Sequence, residues 1–291
     1  MLSQRAIDVL RRGMDEASRT LAGRLDLVRY VQYELAAVLP SFDQWQMDAA
    51  RVQTPGVLLL CGRQTGKSTW AAARSIWQAV PRPNQLVLLI SPTLRQSSEL
   101  FRKAMVLFDG LRMKPEPVRR SQTDIELRNG SKIYSLPGAN PDTIRGFSAP
   151  DLIIEDESAF VNDRTFIASR PMLATNPNAC HILLTTPFGQ RGHFHDLWTN
   201  GDPAWSRLMI RSEDCPRISR AFLEGERRTL SDRAYRQEYE CEFLESASAV
   251  FPSDWIERLV DDDVRHGEIM PDEMAADMLG IVDPGPWASL S

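Results

Sequence analysis

Residues 61 to 69 read Cys61-Gly62-Arg63-Gln64-Thr65-Gly66-Lys67-Ser68-Thr69. A glycine-rich turn of this kind aims backbone N–H groups and a helix N-terminus at a β-phosphate. The lysine that follows bridges the β- and γ-phosphates, and the serine hydroxyl binds Mg²⁺. The segment therefore has the residues of an ATP phosphate-binding loop, with two departures from the regular pattern. Cys61 stands where the pattern has glycine, so that Gly62 comes one residue late, and Arg63 lies inside the loop, within reach of a bound triphosphate.

A second constellation follows about 90 residues later, where Leu152-Ile153-Ile154 runs into Glu155-Asp156-Glu157. A carboxylate at the end of a buried strand, Asp156, would hold Mg²⁺ opposite Ser68, usually through water. Glu157 would orient and deprotonate an attacking water. Alone, the motif reads equally as a strand end with solvated carboxylates; its place two apolar strands after the loop gives it meaning. The strand at 181–184 ends in Thr185-Thr186-Pro187. Hydroxyls at such an edge sense a γ-phosphate or its water and pass the change to a moving segment; the alternative is a strand stopped by proline. Trp45-Gln46 precedes the first core strand, where a glutamine amide matches the N6/N7 edge of adenine with the indole packed nearby. Arg145-Gly146 sits in a loop before Glu157; an arginine there either reaches a neighbouring subunit's γ-phosphate in trans or forms an intramolecular ion pair. His193-Phe194-His195 has the look of metal spacing, but nothing in the sequence supplies the other ligands, and a structural role is expected. Asn176-Pro177-Asn178 reads as a turn.

These groups need a scaffold that brings strand ends to one edge. Apolar runs at 57–60, 86–90, 152–154 and 182–184 alternate with helical stretches at 68–80, 93–108 and 163–173. Continuous apolar strands of this kind indicate a parallel sheet covered on both faces. The alternation is interrupted by 123–127 and 132–136, which flank Asn129-Gly130, a hairpin signal. Upstream, residues 3–38 carry a helical periodicity ended by Pro40, and a short helix is expected at 43–53. The chain turns helical and charged from 216 to 245, and 244–278, with its acidic Asp261-Asp262-Asp263, reads as lid or linker. The expected fold is an α/β, RecA/ASCE-like phosphate-loop NTPase core over 41–215. An N-terminal helical extension (1–40) precedes it, and a lid or linker subdomain (216–277) follows.

At 291 residues, 43% hydrophobic and 25% charged, the chain holds a substantial core. No apolar run is long enough to cross a membrane, and the charged first residues are not a signal peptide. A net charge of −5 neither advertises nor excludes nucleic-acid binding, for which a local basic surface matters. Cysteines 61, 180, 215 and 241 share no metal spacing and are expected as reduced thiols in a cytosolic setting.

Taken in order, several segments resemble the large terminase subunit of tailed double-stranded DNA bacteriophages, the ATPase that pumps the genome into the capsid. They are Trp45-Gln46, the loop at 61–69, Ile144-Arg145-Gly146-Phe147-Ser148, Ile153 to Phe160, Leu184-Thr185-Thr186-Pro187-Phe188-Gly189 and Tyr235-Arg236-Gln237-Glu238-Tyr239-Glu240-Cys241-Glu242-Phe243. The resemblance covers about residues 40 to 285. It implies Arg63 as a γ-phosphate arginine acting within the subunit, Arg145 as one acting across a ring, and Thr185, Thr186 and Pro187 as the motif coupling hydrolysis to movement. It implies ATP and Mg²⁺, with Trp45, Gln46 and residues 62–69 holding the nucleotide and Ser68 and Asp156 the metal. The partners it implies are double-stranded DNA, the portal of the procapsid and the small terminase subunit. The subunit would form a ring, expected as a pentamer on the portal and a monomer in isolation, in the cytoplasm of an infected bacterium. Members normally continue into a ribonuclease H-type nuclease domain. Leu279-Gly280-Ile281-Val282-Asp283, in 278–291, resembles that domain's first strand, with Asp283 its first carboxylate. One carboxylate does not make a two-metal centre, so no nuclease activity is expected of this chain. Two alternatives remain: a two-lobed helicase-type translocase, whose second-lobe Gln-x-x-Gly-Arg-x-x-Arg motif does not occur, and a nucleotide-binding scaffold with little turnover.

Overall fold

In the computed structural model, residues 18, 21–23, 25–39 and 41–244 are described. The 278–291 segment with Asp283, the rest of the expected lid beyond 244, and the first part of the expected N-terminal helix lie outside the described residues.

The strands are β1 (Gly56–Cys61), β2 (Leu86–Ser91), β3 (Pro117–Arg120), β4 (Asp124–Leu127), β5 (Lys132–Pro137), β6 (Leu152–Asp156), β7 (Cys180–Thr185) and β8 (Trp205–Ile210). They form one 8-stranded sheet in the order β3-β4-β5-β2-β6-β7-β1-β8. From β5 to β8 every pairing is parallel; β3 and β4 are antiparallel additions at one edge. This is the mainly parallel sheet expected from the alternation of apolar strands and helices.

Both faces of the central strands are buried, which is why the strands read as unbroken apolar runs. On one face Val57, Leu59, Val87, Leu89, Ile154, Ile182 and Leu184 join a single large core. That face is covered by α1 (Leu27–Glu34), α2 (Gln44–Arg51), α3 (Lys67–Ala79) and α4 (Leu94–Asp109). The alternate residues, among them Leu58, Leu60 and Leu183, pack with Phe194 and Trp205 on the other face. Here lie α5 (Asp163–Ser169) and α6 (Gly192–Asn200). The charged stretch after 216 forms α7 (Arg220–Thr229) and α8 (Asp232–Glu240), joined by a small core of Leu223, Tyr235 and Tyr239.

The structure corrects three expectations. The helix read over 3–38 is interrupted: Asp26 is extended (φ −136°, ψ 117°) and its carboxylate caps α1 by accepting from the Arg29 N–H. Leu21 and Leu25, apolar residues at helical spacing within 3–38, are 59% and 76% exposed, so the periodicity there did not report burial. The helix expected over 163–173 is α-helical only to Ser169 and tightens into a 3₁₀ turn at Arg170–Leu173, where Pro171 has no N–H to give. β8 was not anticipated. Trp205-Ser206-Arg207-Leu208-Met209-Ile210 is an edge strand with a charged residue inside it and lacks the apolar run that marked its neighbours. The hairpin is as read: β4 and β5 are antiparallel about Asn129-Gly130, with Gly130 at φ +84°. All four cysteines are free thiols.

Leu58, fully buried on β1 between β7 and β8, supports the strand that carries the loop. Leu58→Ala is expected to cost about 2–5 kcal/mol of stability, measured by urea unfolding of the whole chain.

Candidate active site

The register sets the site. Leu60 of β1 stands beside Thr185 of β7, and Leu184 of β7 beside Asp156 of β6, so three strands end together at the C-terminal edge of the sheet. The chain leaving β1 turns tightly into α3. Gly62 must be glycine because a Cβ would lie 2.4 Å from the Ser212 hydroxyl and within 3.0 Å of backbone atoms. Gly66, at φ +89°, provides the left-handed residue from which α3 starts. Thr65 braces the turn by donating its hydroxyl to the Gly62 carbonyl at 3.0 Å. The first residues of α3 are Lys67, Ser68 and Thr69, at a helix N-terminus whose free N–H groups favour anions.

Those residues meet the end of β6. The Ser68 hydroxyl donates to Asp156 Oδ2 at 3.2 Å, and Lys67 Nζ lies 3.0 Å from Glu157 Oε1. Asp156 Oδ1 is buried with no hydrogen-bond partner, an acceptor left open beside a hydroxyl. Burial, then the charge of Glu157, pushes the Asp156 carboxyl up to about 6. Burial opposes charge on Lys67, but Glu157 and Asp156 outweigh it and its pKa is raised. Glu157 is in the left-handed region at φ 56°, a strained conformation for a residue with a side chain, costing on the order of 1–3 kcal/mol. Its other oxygen is within 3.4–3.5 Å of the Thr185 and Thr186 hydroxyls. Beside this cluster is a cavity of about 220 Å³ lined by Ser68, Asp156, Glu157 and, from α4, Arg95 and Lys103.

The remaining predicted residues are distributed around this centre. Gln64 sits in the loop at φ 61°. Arg63 is held by α8: its backbone N–H donates to the Glu238 carbonyl at 2.8 Å, and its guanidinium pairs with the Glu238 carboxylate. Pro187 is buried beyond the two threonines. Trp45 packs into the core. Gln46 is 3% exposed and fully engaged, accepting from the Asp43 N–H at 2.9 Å and donating to the Gly66 carbonyl at 3.4 Å. Its backbone carbonyl accepts from the Trp70 indole at 3.0 Å. Gln46 is thus a brace under the loop, and an adenine would have to displace its contacts to pair with it. Arg145 is two-thirds exposed and pairs with Asp142 at 3.0 Å, three residues away.

Sequence reasoning did not single out Arg217. Its guanidinium grips Asp43 Oδ2 and donates to the Thr65 carbonyl at 2.9 Å, tying the segment before α7 to the loop. In the sequence it was one of several arginines in a charged stretch. It also gave no role to Glu155, which is wholly buried. His181 Nε2 and His193 Nε2 approach its two oxygens at 3.0 and 3.1 Å, and Ser158 donates to it at 3.0 Å. His193 Nδ1 lies 2.9 Å from Asp163 Oδ1. His193 lies in α6 with Glu155 and Asp163 as its partners. No cluster of metal-ligating side chains of the three-residue kind occurs among the described residues.

Residues 58–258 match the family described as Terminase large subunit, T4likevirus-type, N-terminal. The large terminase subunit of Escherichia phage T5 is 29% identical over 196 residues, covering 65% of this chain and 44% of that protein. The chain thus spans less than half the length of that relative. Among solved structures, the Thermus phage P74-26 large terminase ATPase domain superposes with a TM-score of 0.60 at 21% identity, covering 70% of this chain and 94% of that one. The large terminase of another thermophilic bacteriophage, solved in complex with ADP, gives 0.57 at 14% identity, covering 69% and 51%.

Burial lowers the His193 pKa, but the hydrogen bond and charge of Glu155, then those of Asp163, outweigh it and leave the pKa raised above 6.5. The stability contributed by the charged ring is complete below that ordinary value and is lost as pH rises through the raised one. Urea midpoints of wild type and His193→Gln should therefore differ most below the ordinary imidazole pKa of about 6.5 and converge as the pH is raised past the shifted one.

Proposed function

The chain belongs to the terminase large-subunit family, and from that premise we propose that it is the ATP-hydrolysing motor part of a viral DNA-packaging machine. The observation that carries this reading is the meeting of Lys67 with Glu157 and of Ser68 with Asp156 at one strand edge, under a left-handed glycine turn. A Lys and a Ser at a helix N-terminus, faced by two carboxylates of distinct environment, are what phosphoanhydride hydrolysis requires.

The residues present suit a nucleotide and a divalent cation. The N–H groups of the loop at 62–69 and the N-terminus of α3 would hold the phosphates. Lys67, kept charged by its acidic neighbours, would cross from β to γ. Ser68 and Asp156, with its unpartnered oxygen, would hold Mg²⁺, which supplies charge neutralisation at the phosphates when bound. Glu157 would take the proton of a water attacking the γ-phosphorus as the bond to the bridging oxygen breaks. Lys67 pairs with Glu157 at 3.0 Å, and a triphosphate that drew Lys67 to its phosphates would leave the carboxylate free for that proton. Thr185 and Thr186, next to Glu157, would carry the change towards Pro187 and α6.

Arg63 would serve as the arginine within the subunit once released from Glu238, and Arg145, exposed and paired only locally, as the one reaching a neighbour in a ring. Duplex DNA as cargo, the portal and the small terminase subunit as partners, and the cytoplasm of an infected bacterium as the setting belong to the same reading. No helix among the described residues is long and apolar enough to cross a membrane.

Phosphate release from Mg-ATP, followed for the assembled ring with and without DNA, tests the reading. Glu157→Gln should keep nucleotide binding and lose about 10²–10⁴-fold in kcat, the usual worth of a general base. Wild-type turnover by that variant would sink the assignment. Arg63→Ala should bind ATP normally and lose on the order of 10³-fold in kcat; an undiminished rate would remove Arg63 from the mechanism.

A further inference from the structure

We propose that His193 is a positioning residue for Glu157, holding the general base in its strained conformation and tying it to the chain that leaves Thr185-Thr186-Pro187. The inference rests on the ATPase reading above for its kinetic consequence.

A non-glycine residue stays at positive φ only where its surroundings over-determine it. At Glu157 the surroundings are the residues on either side. Along β6 successive side chains alternate, so Asp156 faces α3 while Glu155 faces the opposite core. There the Glu155 carboxylate and the Ser158 hydroxyl converge on one ring nitrogen, His193 Nε2, at 3.1 and 2.9 Å. One imidazole thus grips the residue two before Glu157 and the residue one after it. The ring is itself fixed. Its Nδ1 and the His193 backbone N–H both lie 2.9 Å from Asp163 Oδ1, and its face stacks on Phe166 at 4.6 Å and 8°. With carboxylates at both nitrogens, the doubly protonated ring donates to each.

His193 is the second residue of α6, which begins at Gly192, five residues after Pro187. Two further contacts join the same two segments: the Ala159 N–H donates to the Thr185 hydroxyl at 3.3 Å, and the rings of Phe160 and Phe188 stand 4.1 Å apart. Residues 158–166 and 185–193 are therefore cross-braced at three points, with the buried imidazole the innermost. A shift at the start of α6 pulls on Ser158 and Glu155 together, and so turns Glu157 relative to Lys67. A buried ion pair is a poor source of stability compared with apolar packing; its use is to fix one arrangement.

The test uses the whole chain and two readouts. His193→Ala should lower kcat about 10²-fold, the effect of misplacing a reacting group by about 1 Å, with KM for ATP within about twofold. His193→Gln, which keeps a donor towards Glu155 and Ser158, should recover about tenfold of that loss. Because removing His193 strands the buried Glu155 charge, Asp163→Ala provides a milder variant that removes only the half-exposed acceptor. It should lower kcat about tenfold at unchanged KM, with Asp163→Asn restoring the rate. In crystal structures of His193→Ala or Asp163→Ala, Glu157 should leave positive φ or separate from Lys67 beyond hydrogen-bond range. A Glu157 unmoved in both variants, or kcat within twofold of wild type in both, overturns the proposal. Wild-type chains that hydrolyse no ATP even as the assembled ring would instead refute the ATPase reading, and the crystal structures would then decide the positioning role alone.

Discussion

Parallel pairing of β6, β7 and β1 is the constraint on which the rest depends. Each strand is buried on both faces, so its register is fixed by two cores at once rather than one. A slip of one residue along β6 would exchange Asp156 with Glu155. The carboxylate that meets Ser68 would then be enclosed among histidines, and the histidines' partner would face α3. The apolar packing of Ile153 and Ile154 on opposite faces therefore specifies the chemistry of the two acids that follow. Nothing in those acids themselves distinguishes them.

Position alone gives adjacent carboxylates opposite character. Glu155 and Asp156 are both removed from water, and burial raises the pKa of each. For Glu155 the two imidazoles more than reverse that effect, and it is held ionised well below the usual carboxylate range. For Asp156 the next charge along is that of Glu157, of the same sign, and it adds to burial. The first acid is satisfied and serves the architecture. The second is left with an unmet oxygen at the edge of a cavity.

Much of this was legible in the sequence because burial on both faces leaves an unmistakable trace. β1, β2, β6 and β7 appeared as apolar runs, and the loop and carboxylates could be placed at their ends. β8 escaped because an edge strand is buried unevenly and tolerates Arg207. The break at Asp26 escaped because Leu21 and Leu25 keep helical spacing while facing solvent. The contacts that refine the site were hidden for another reason. Arg217 reaches Thr65 across 152 residues, and Arg63 reaches Glu238 across 175. Such long-range pairs have no local period, so each looks in the sequence like any charge on a solvated helix. The two histidines were equally opaque, since their common partner, Glu155, reads as one more acid in an acidic triplet.

The strain at Glu157 and its ion pair with Lys67 belong to the same arrangement. A left-handed backbone raises the energy of the resting chain, so it persists only because contacts on both sides outweigh it. The ammonium 3.0 Å away removes much of the cost of holding a second acid beside Asp156. Both restraints act on one carboxylate, one through the backbone from the histidine side of the sheet, the other through the side chain from the loop side. A phosphate competing for Lys67 weakens only the second. The backbone restraint does not depend on Lys67, so the carboxylate keeps its place when that ion pair opens. One carboxylate is thus held from both sides because the two faces of one strand have different partners.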